Sequence, residues 1–109
     1  MKVLLTGATG FLGYRTLESL IELPYVNKII ATGRVLKDTH SIDDEKVTYI
    51  LGDLTDVLFV SSIMKNIDVV INTASLSSPW GLYDDFYRSN VITQKNIISC
   101  AKTSAVKKI

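Results

Sequence analysis

The sequence is poor in cysteine, histidine and proline, and the scarcity of the first two argues against a disulfide-rich or metal-binding protein. It has one cysteine, one histidine and two prolines among 109 residues. A single cysteine forms no intrachain disulfide, and Cys100 has no cysteine or histidine neighbours at metal-ligand spacing, so we predict no disulfide framework and no metal site. His40 stands among acidic residues, and we interpret it as a functionally silent residue of a solvated loop. We interpret Cys100 as a small buried hydrophobe rather than a nucleophile. This cysteine usage fits a reducing compartment, and we expect a cytoplasmic protein.

An excess of charge of one sign and long apolar runs are also absent. The formal net charge is +1, which leaves no electrostatic footprint of nucleic-acid binding. No apolar run approaches the roughly 20 residues that a membrane span requires. The first run, Val3–Leu5, is interrupted at once by a glycine-containing stretch, so it does not make a signal peptide. With 47% hydrophobic residues the chain can bury a core, and we predict a globular domain that binds neither nucleic acid nor a membrane.

What the sequence does contain is an alternation of short β-branched runs and longer amphipathic stretches. We predict strands over 2–6, 28–32, 47–51 and 68–72, helices over 11–22, 55–65 and 82–103, and the start of a fifth strand over 106–109. The first helix would bury a stripe made of Leu12, Thr16, Leu17, Leu20 and Ile21, and the second would be capped by Thr55 or Asp53.

Near-continuous apolar strands separated by helices predict a three-layer αβα Rossmann fold whose parallel sheet has the strand order 3-2-1-4. The chain stops where a fifth strand would begin, which would leave the fourth strand with a bare edge. We therefore expect residues 1–109 to be an incomplete domain of a longer polypeptide. A genuinely short protein is the alternative.

A glycine-rich segment, Thr-Gly-Ala-Thr-Gly-Phe-Leu-Gly over residues 6–13, lies between the first strand and the first helix. Gly7 would allow the turn, Gly10 would let the backbone approach a pyrophosphate, and Gly13 would let the helix pack closely on the sheet. The amide groups of the first helical turn would then face the anion. The spacing is G-x-x-G-x-x-G rather than G-x-G-x-x-G. The alternative is that these glycines only make a tight turn.

The residues that would contact the adenosine of a bound dinucleotide follow the second and third strands. No acidic residue ends the second strand, and Arg34 stands there instead, beside Gly33, which removes side-chain bulk. A guanidinium suits a 2′-phosphate, so NADP is favoured and NAD is the alternative, unless Arg34 is only a solvated loop residue. Asp53 could accept from an adenine amino group while Leu54 covers the ring. Asp53 could also cap the next helix, or do both.

At these residues the chain resembles the extended short-chain dehydrogenase/reductase superfamily, which includes NAD-dependent epimerase/dehydratases and 3β-hydroxysteroid dehydrogenase-like enzymes. The resemblance rests on residues 6–13, 52–56, 69–75 and 86–91. With Thr9 and Arg34 added from the turn and the second strand, the predicted cofactor-binding set is Gly7, Thr9, Gly10, Phe11, Leu12, Arg34, Asp53, Leu54, Thr73, Ala74 and Ser75. Asn90 matches an asparagine that supports the active-site architecture of the family. It could instead be satisfied at the helix surface.

The resemblance implies a parent enzyme that moves a hydride between a nicotinamide and a carbinol or carbonyl carbon. The family's Tyr-x-x-x-Lys pair would lie beyond Ile109, since no tyrosine here has a lysine four residues on. We therefore predict no catalytic residue in this chain and little activity from it alone. Trp80, in the loop after the fourth strand, could line the pocket of an apolar substrate or could pack against the protein itself. The family resemblance is also compatible with a homodimer through the long helix. A non-catalytic NAD(P) sensor, and more weakly an FMN-binding domain, are the alternatives.

Overall fold

The computed structural model describes residues 1–34, 41–73 and 83–103, and within the last helix it describes the side chains of residues 91–102. In chain order the elements are β1 (Lys2–Thr6), α1 (Phe11–Ile21), β2 (Lys28–Thr32), β3 (Val47–Tyr49), α2 (Val57–Ile63), β4 (Val69–Asn72) and α3 (Tyr83–Thr103). The predicted fifth strand, the loop with Trp80, and the predicted site residues Ala74 and Ser75 lie outside the described residues. So does the side chain of Asn90, whose backbone is in α3.

The four strands form one parallel sheet in the order β3-β2-β1-β4, which confirms the predicted topology. In this register Thr6 at the end of β1 lies between Thr32 of β2 and Asn72 of β4. The carboxyl ends of three strands therefore meet at one edge of the sheet. This is the edge at which open α/β sheets bind ligands.

Each face of the sheet is covered by its own hydrophobic cluster. Alternate side chains of a strand point to opposite faces, so Leu4 and Leu5 of β1 belong to different clusters. Leu5 packs with Leu17 and Leu20 of α1, whereas Leu4 packs with residues of α2 and α3 such as Val60 and Ile97. This arrangement is the predicted three-layer αβα fold.

Helix α1 buries a narrower stripe than the sequence predicts. Gly13, Leu17 and Leu20 are its buried residues, at the i, i+4, i+7 spacing of one helical face. Leu12 is 65% exposed, so its predicted place in the stripe is wrong. The helix ends at Ile21, one residue earlier than predicted, and Lys46 Nζ donates to the carbonyl oxygen of Ile21 at 2.9 Å.

Helix α2 begins two residues later than predicted, and its N-cap is neither Thr55 nor Asp53. The cap is Asp56, whose carboxylate accepts from the amides of Leu58 and Phe59 at 3.0 and 3.5 Å. Asp53 is engaged in the preceding turn, where its carbonyl accepts from the Asp56 amide at 3.1 Å. The helix therefore starts only after that turn is complete.

Strands β3 and β4 are also shorter than predicted. β3 ends at Tyr49, although the Ile50 amide still donates to Ala31 across to β2 at 3.0 Å. β4 begins at Val69, after Asp68 has accepted a hydrogen bond from the Lys2 amide at 2.9 Å. Both differences are at strand ends, where hydrogen bonds to the neighbouring strand continue one residue beyond the strand.

The third helix closes the second face of the sheet. Its residues Ile97, Cys100 and Ala101 are buried against α2 and the sheet. The prediction of Cys100 as a buried hydrophobe is confirmed, and burial raises the pKa of its thiol. Within the described ranges, no helix combines the length and the apolar character that crossing a bilayer would require.

Candidate functional site

The glycine turn between β1 and α1 is closed by its own backbone and tied to β2. Gly7 has φ of 69°, a left-handed conformation that glycine adopts without strain, and its carbonyl accepts from the Gly10 amide at 3.1 Å. The Ala8 amide donates to the Thr32 carbonyl at 3.0 Å. The first helical hydrogen bond runs from Tyr14 to Gly10 at 2.9 Å. Gly10 thus stands at the N-terminus of α1, the end of a helix whose amides and positive dipole favour an anion.

Gly10 and Gly13 are glycines for different reasons. A Cβ at Gly13 would lie 1.9 Å from the Gly7 carbonyl oxygen, so the fold itself requires glycine there. The close contact of α1 at Gly13 is therefore with the glycine turn. The sequence instead predicts a close contact of this helix with the sheet. Among the described residues, a Cβ at Gly10 would meet only the Gly7 carbonyl oxygen, at an ordinary 3.5 Å. Packing within this part of the chain does not demand glycine at position 10 and leaves room there for a group from outside.

Two apolar side chains flank this space. Phe11 and Leu12 are 67% and 65% exposed at the start of α1, and the Arg15 guanidinium lies 5.5 Å from the centre of the Phe11 ring. Exposed apolar residues beside an open backbone are typical of a ligand-binding rim. The structure therefore brings Gly7, Gly10, Phe11 and Leu12 together at one turn.

A second part of the site lies where β2 and β3 end. Arg34, Gly52 and Asp53 line an open pocket of about 390 Å³. The Gly52 amide donates to the Gly33 carbonyl at 3.1 Å, which holds the two strand ends side by side. Arg34 and Asp53, which are 19 residues apart in sequence, thus share one pocket.

Asp53 is held as a carboxylate by its own turn. It accepts from the Thr55 amide at 2.9 Å and from the Thr55 hydroxyl at 2.7 Å. These two hydrogen bonds, with a smaller contribution from the Arg34 charge, lower the pKa of Asp53 below its usual value of 3.8. The group is therefore an acceptor at neutral pH.

Leu54 is placed differently from the prediction. Its side chain is 8% exposed and packs in the core with Leu4 and Val60, and Asn96 of α3 donates to its carbonyl at 3.0 Å. This burial argues against Leu54 as the cover of an adenine ring. The sequence did not point to Asn96. The signal for it is an amide between the buried positions of an amphipathic helix.

The space at Gly33 is also filled from within the protein. A Cβ there would lie 2.3 Å from the Thr9 hydroxyl oxygen and 2.8 Å from the Thr9 methyl carbon. The predicted role of Gly33, to leave bulk-free space beside Arg34 for a ligand, therefore differs from what the structure shows. Gly52 is similar, since a Cβ there would lie 2.4 Å from the ring of Phe59.

The carboxyl ends of β1 and β4 are joined by polar groups. The amide and hydroxyl of Thr73 both donate to the Thr6 carbonyl, at 3.2 and 2.6 Å, and the Thr6 hydroxyl is hydrogen-bonded to Asn72. The neighbouring Thr32 hydroxyl is buried and has no hydrogen-bond partner in the part of the chain that the structure describes. In the sequence, this edge is indicated by polar residues at the ends of three strands, which the register then aligns. Thr73 is the one member that the predicted site contains.

A parallel sheet whose first strand runs through a left-handed glycine into a close-packed helix defines a Rossmann-type α/β domain. The family model described as the NAD dependent epimerase/dehydratase family matches residues 3–109. The chain belongs to this family. The predicted resemblance to the extended short-chain dehydrogenases is confirmed.

Individual relatives agree with the family. The chain is 28% identical over 109 residues to a 2-alkyl-3-oxoalkanoate reductase of Stenotrophomonas maltophilia, covering 100% of this chain and 32% of the relative. It superposes on WbmH of Bordetella bronchiseptica, solved in complex with NAD+, with a TM-score of 0.83 and 23% identity, covering 96% of this chain and 36% of WbmH. For MoeE5 in complex with UDP-glucuronic acid and NAD the TM-score is 0.79 at 27% identity, covering 97% and 34%. The chain thus spans about a third of the length of these proteins.

Proposed function

We propose that this chain is the dinucleotide-binding part of an NAD(P)-dependent oxidoreductase or epimerase-type enzyme. The observation that carries the proposal is Gly10, where the packing of the described residues does not require glycine but a ligand in contact with the backbone would. Gly10 lies at the N-terminus of α1, whose dipole and amides favour a diphosphate. The proposal is supported by family membership and by a relative named as a reductase.

The described residues suggest how a dinucleotide would be held. Gly7 and Gly10 would carry the pyrophosphate, and Phe11 and Leu12 would flank it. Asp53, an ionised acceptor in the pocket, would accept from the adenine amino group. Thr73 would lie toward the nicotinamide end, and we propose the same role for Ala74 and Ser75, which follow it in sequence outside the described residues. The nicotinamide supplies hydride exchange when bound, and the protein's task here is to fix its position.

The finer cofactor preference rests on Arg34. It lines the same pocket as Asp53, and a guanidinium pairs with a 2′-phosphate through charge-assisted hydrogen bonds. We therefore propose a preference for NADP over NAD. The same proposal has further parts that concern the whole protein. These are a small-molecule substrate, a homodimer through α3, a cytoplasmic location and a Tyr-x-x-x-Lys pair outside this chain.

The direct test is calorimetric titration of the purified chain with NADPH, NADH and FMN. We expect both nicotinamide dinucleotides to bind and FMN to bind more weakly, because FMN has one phosphate and no adenosine to fill the pocket of Arg34 and Asp53. Tighter binding of FMN than of either dinucleotide would overturn the proposal.

The NADP preference has its own test in Arg34→Ala. Loss of a charge-assisted pair of about 1.5–3 kcal/mol should weaken NADPH by roughly one to two decades and leave NADH nearly unchanged. Arg34→Lys is the matched control, since it keeps the charge but not the planar fork, and it should lose less. Equal weakening of both cofactors by Arg34→Ala would remove the NADP preference but not the dinucleotide site.

A further inference from the structure

The pocket residue Arg34 follows directly on a glycine that is packed against the glycine turn. The place of a side chain at Gly33 is occupied by Thr9, whose hydroxyl oxygen, methyl carbon and Cβ lie 2.3, 2.8 and 3.0 Å from the position that a Cβ would take. Thr9 belongs to the turn that follows β1, and Gly33 to the end of β2. The side chain of Thr9 therefore bridges the two loops that we assign to the two ends of an adenosine diphosphate.

The backbone makes this bridge stiff. The residue before Thr9, Ala8, donates its amide to the Thr32 carbonyl at 3.0 Å, and the Gly33 carbonyl accepts from Gly52 at 3.1 Å. Threonine is β-branched and has few rotamers, so a Thr9 held at its backbone cannot easily move its side chain away from Gly33. The contact thus sets the separation between the turn and the start of the Arg34 segment.

That separation matters for a ligand with two anionic groups. In a 2′-phosphorylated dinucleotide the pyrophosphate and the 2′-phosphate are held apart by a ribose of fixed size. A protein that binds both must hold the two binding groups at a matching distance, since misplacement by about 1 Å is costly. A dinucleotide without the 2′-phosphate makes no such demand on Arg34.

We propose that Thr9 is a positioning residue that fixes Arg34 relative to the glycine turn, and through it the discrimination between NADP and NAD. The proposal rests on the proposed function and deepens it. It gives Thr9 and Gly33 a shared role, in which the glycine makes room for the threonine rather than for the ligand. Neither side chain needs to touch the cofactor for this role.

The test is a swap of volume between the two positions. Gly33→Ala should push the turn and the Arg34 segment apart, and Thr9→Ala should leave a gap that lets them close or slide. We expect each single variant to lower the ratio of NADPH affinity to NADH affinity by roughly tenfold, within the range of coupling for residues in contact. In the double variant Thr9→Ala/Gly33→Ala the two Cβ atoms would lie 3.0 Å apart, so a shift of a few tenths of an ångström relieves the clash, and the variant should recover most of the ratio.

Two controls separate positioning from general damage. Adenosine 2′-monophosphate engages Arg34 without the turn, so its affinity should be the same in all three variants. Val26→Ala removes buried methyl groups just before β2 begins, at the end of the sheet opposite the glycine turn and the Arg34 pocket. It should lower the unfolding temperature and leave the ratio of NADPH to NADH affinity unchanged.

The outcomes distinguish the two proposals. If the wild-type chain binds neither cofactor, the proposed function fails. If it binds them but neither Thr9→Ala nor Gly33→Ala changes the ratio, only the role of Thr9 fails. Parallel loss of adenosine 2′-monophosphate binding would also overturn it, by showing that Arg34 itself is disrupted. Thr9→Ala removes atoms and creates no clash, so it keeps the test available if Gly33→Ala does not fold.

Discussion

At the scale of single residues, Gly10 and Gly13 lie one helical turn apart, but a side chain at the two positions would have different effects. Gly10→Ala should change the unfolding temperature little, because alanine fits its φ of −86° and restricts the unfolded chain by about 0.4–1 kcal/mol, while alanine is a poorer residue than glycine at the N-cap that position 10 occupies. Its affinity for NADPH and NADH should nevertheless fall at least about tenfold, since the methyl occupies the space of a bound pyrophosphate. Thermal unfolding and calorimetric titration of the same samples measure the two effects separately.

Gly13→Ala is the matched control for this prediction. Its Cβ would lie 1.9 Å from a backbone oxygen that cannot yield as a side chain could, and such overpacking costs about 1–3 kcal/mol. We therefore expect it to lower the unfolding temperature. If Gly10→Ala lost as much stability as Gly13→Ala, glycine at position 10 would serve the fold, and the observation that carries the proposed function would be gone.

The ionisation of Asp53 gives a second prediction at this scale. Because its folded pKa is lowered, its stabilising effect is present above the unfolded value of 3.8 and is lost as the pH falls below 3.8 through the folded pKa. The effect is small, since the carboxylate is exposed and water screens it. An NMR titration of the Asp53 carboxyl carbon should give a pKa below 3.8. Thr55→Ala should raise it more than Arg34→Ala, and the reverse order would contradict the hydrogen-bond explanation.

At the scale of elements, α2 depends on the carboxylate of Asp56. Asp56→Ala leaves the amides of Leu58 and Phe59 without their acceptor and should destabilise the protein by about 1 kcal/mol. Asp56→Asn keeps a side-chain oxygen in place and should cost much less. Denaturant unfolding of both variants is the measurement. Equal loss in the two would mean that charge, and not the cap, stabilises this end of the helix.

Strands β1 and β2 and helix α2 show where prediction from sequence succeeds and where it fails. The bounds of β1 and β2 were correct because β-branched runs are bounded by unambiguous glycine and polar residues. The start of α2 was wrong because Asp53, Thr55 and Asp56 are all good caps, and only the turn closed by Asp53 selects among them. Residue preference cannot rank three candidates within four residues when the hydrogen bonds of the preceding turn decide between them.

The candidate site divides in the same way. The glycine turn was predictable, because left-handed and close-packed backbone restricts the residue type at Gly7 and Gly13. The contact of Thr9 with Gly33 was not, because it joins segments 24 residues apart and leaves no periodic pattern. The sequence thus predicts which residues would approach a ligand, and the structure shows which of them contact one another.

At the scale of the whole molecule, β1 is an interior strand with a hydrophobic cluster on each side. Leu4 and Leu5 are consecutive and fully buried, one in each cluster. Leu4→Ala and Leu5→Ala should each cost about 2–5 kcal/mol, and both should shift one cooperative transition, because the two clusters share the same strand. Leu58→Ala makes the same chemical change at a side chain that is 78% exposed, and it should stay within about 0.5 kcal/mol of wild type. Unfolding in urea followed by circular dichroism and by tyrosine fluorescence measures all three. A stable Leu5→Ala variant, or two separate transitions, would show that α1 does not cover its face of the sheet as a full layer of the fold.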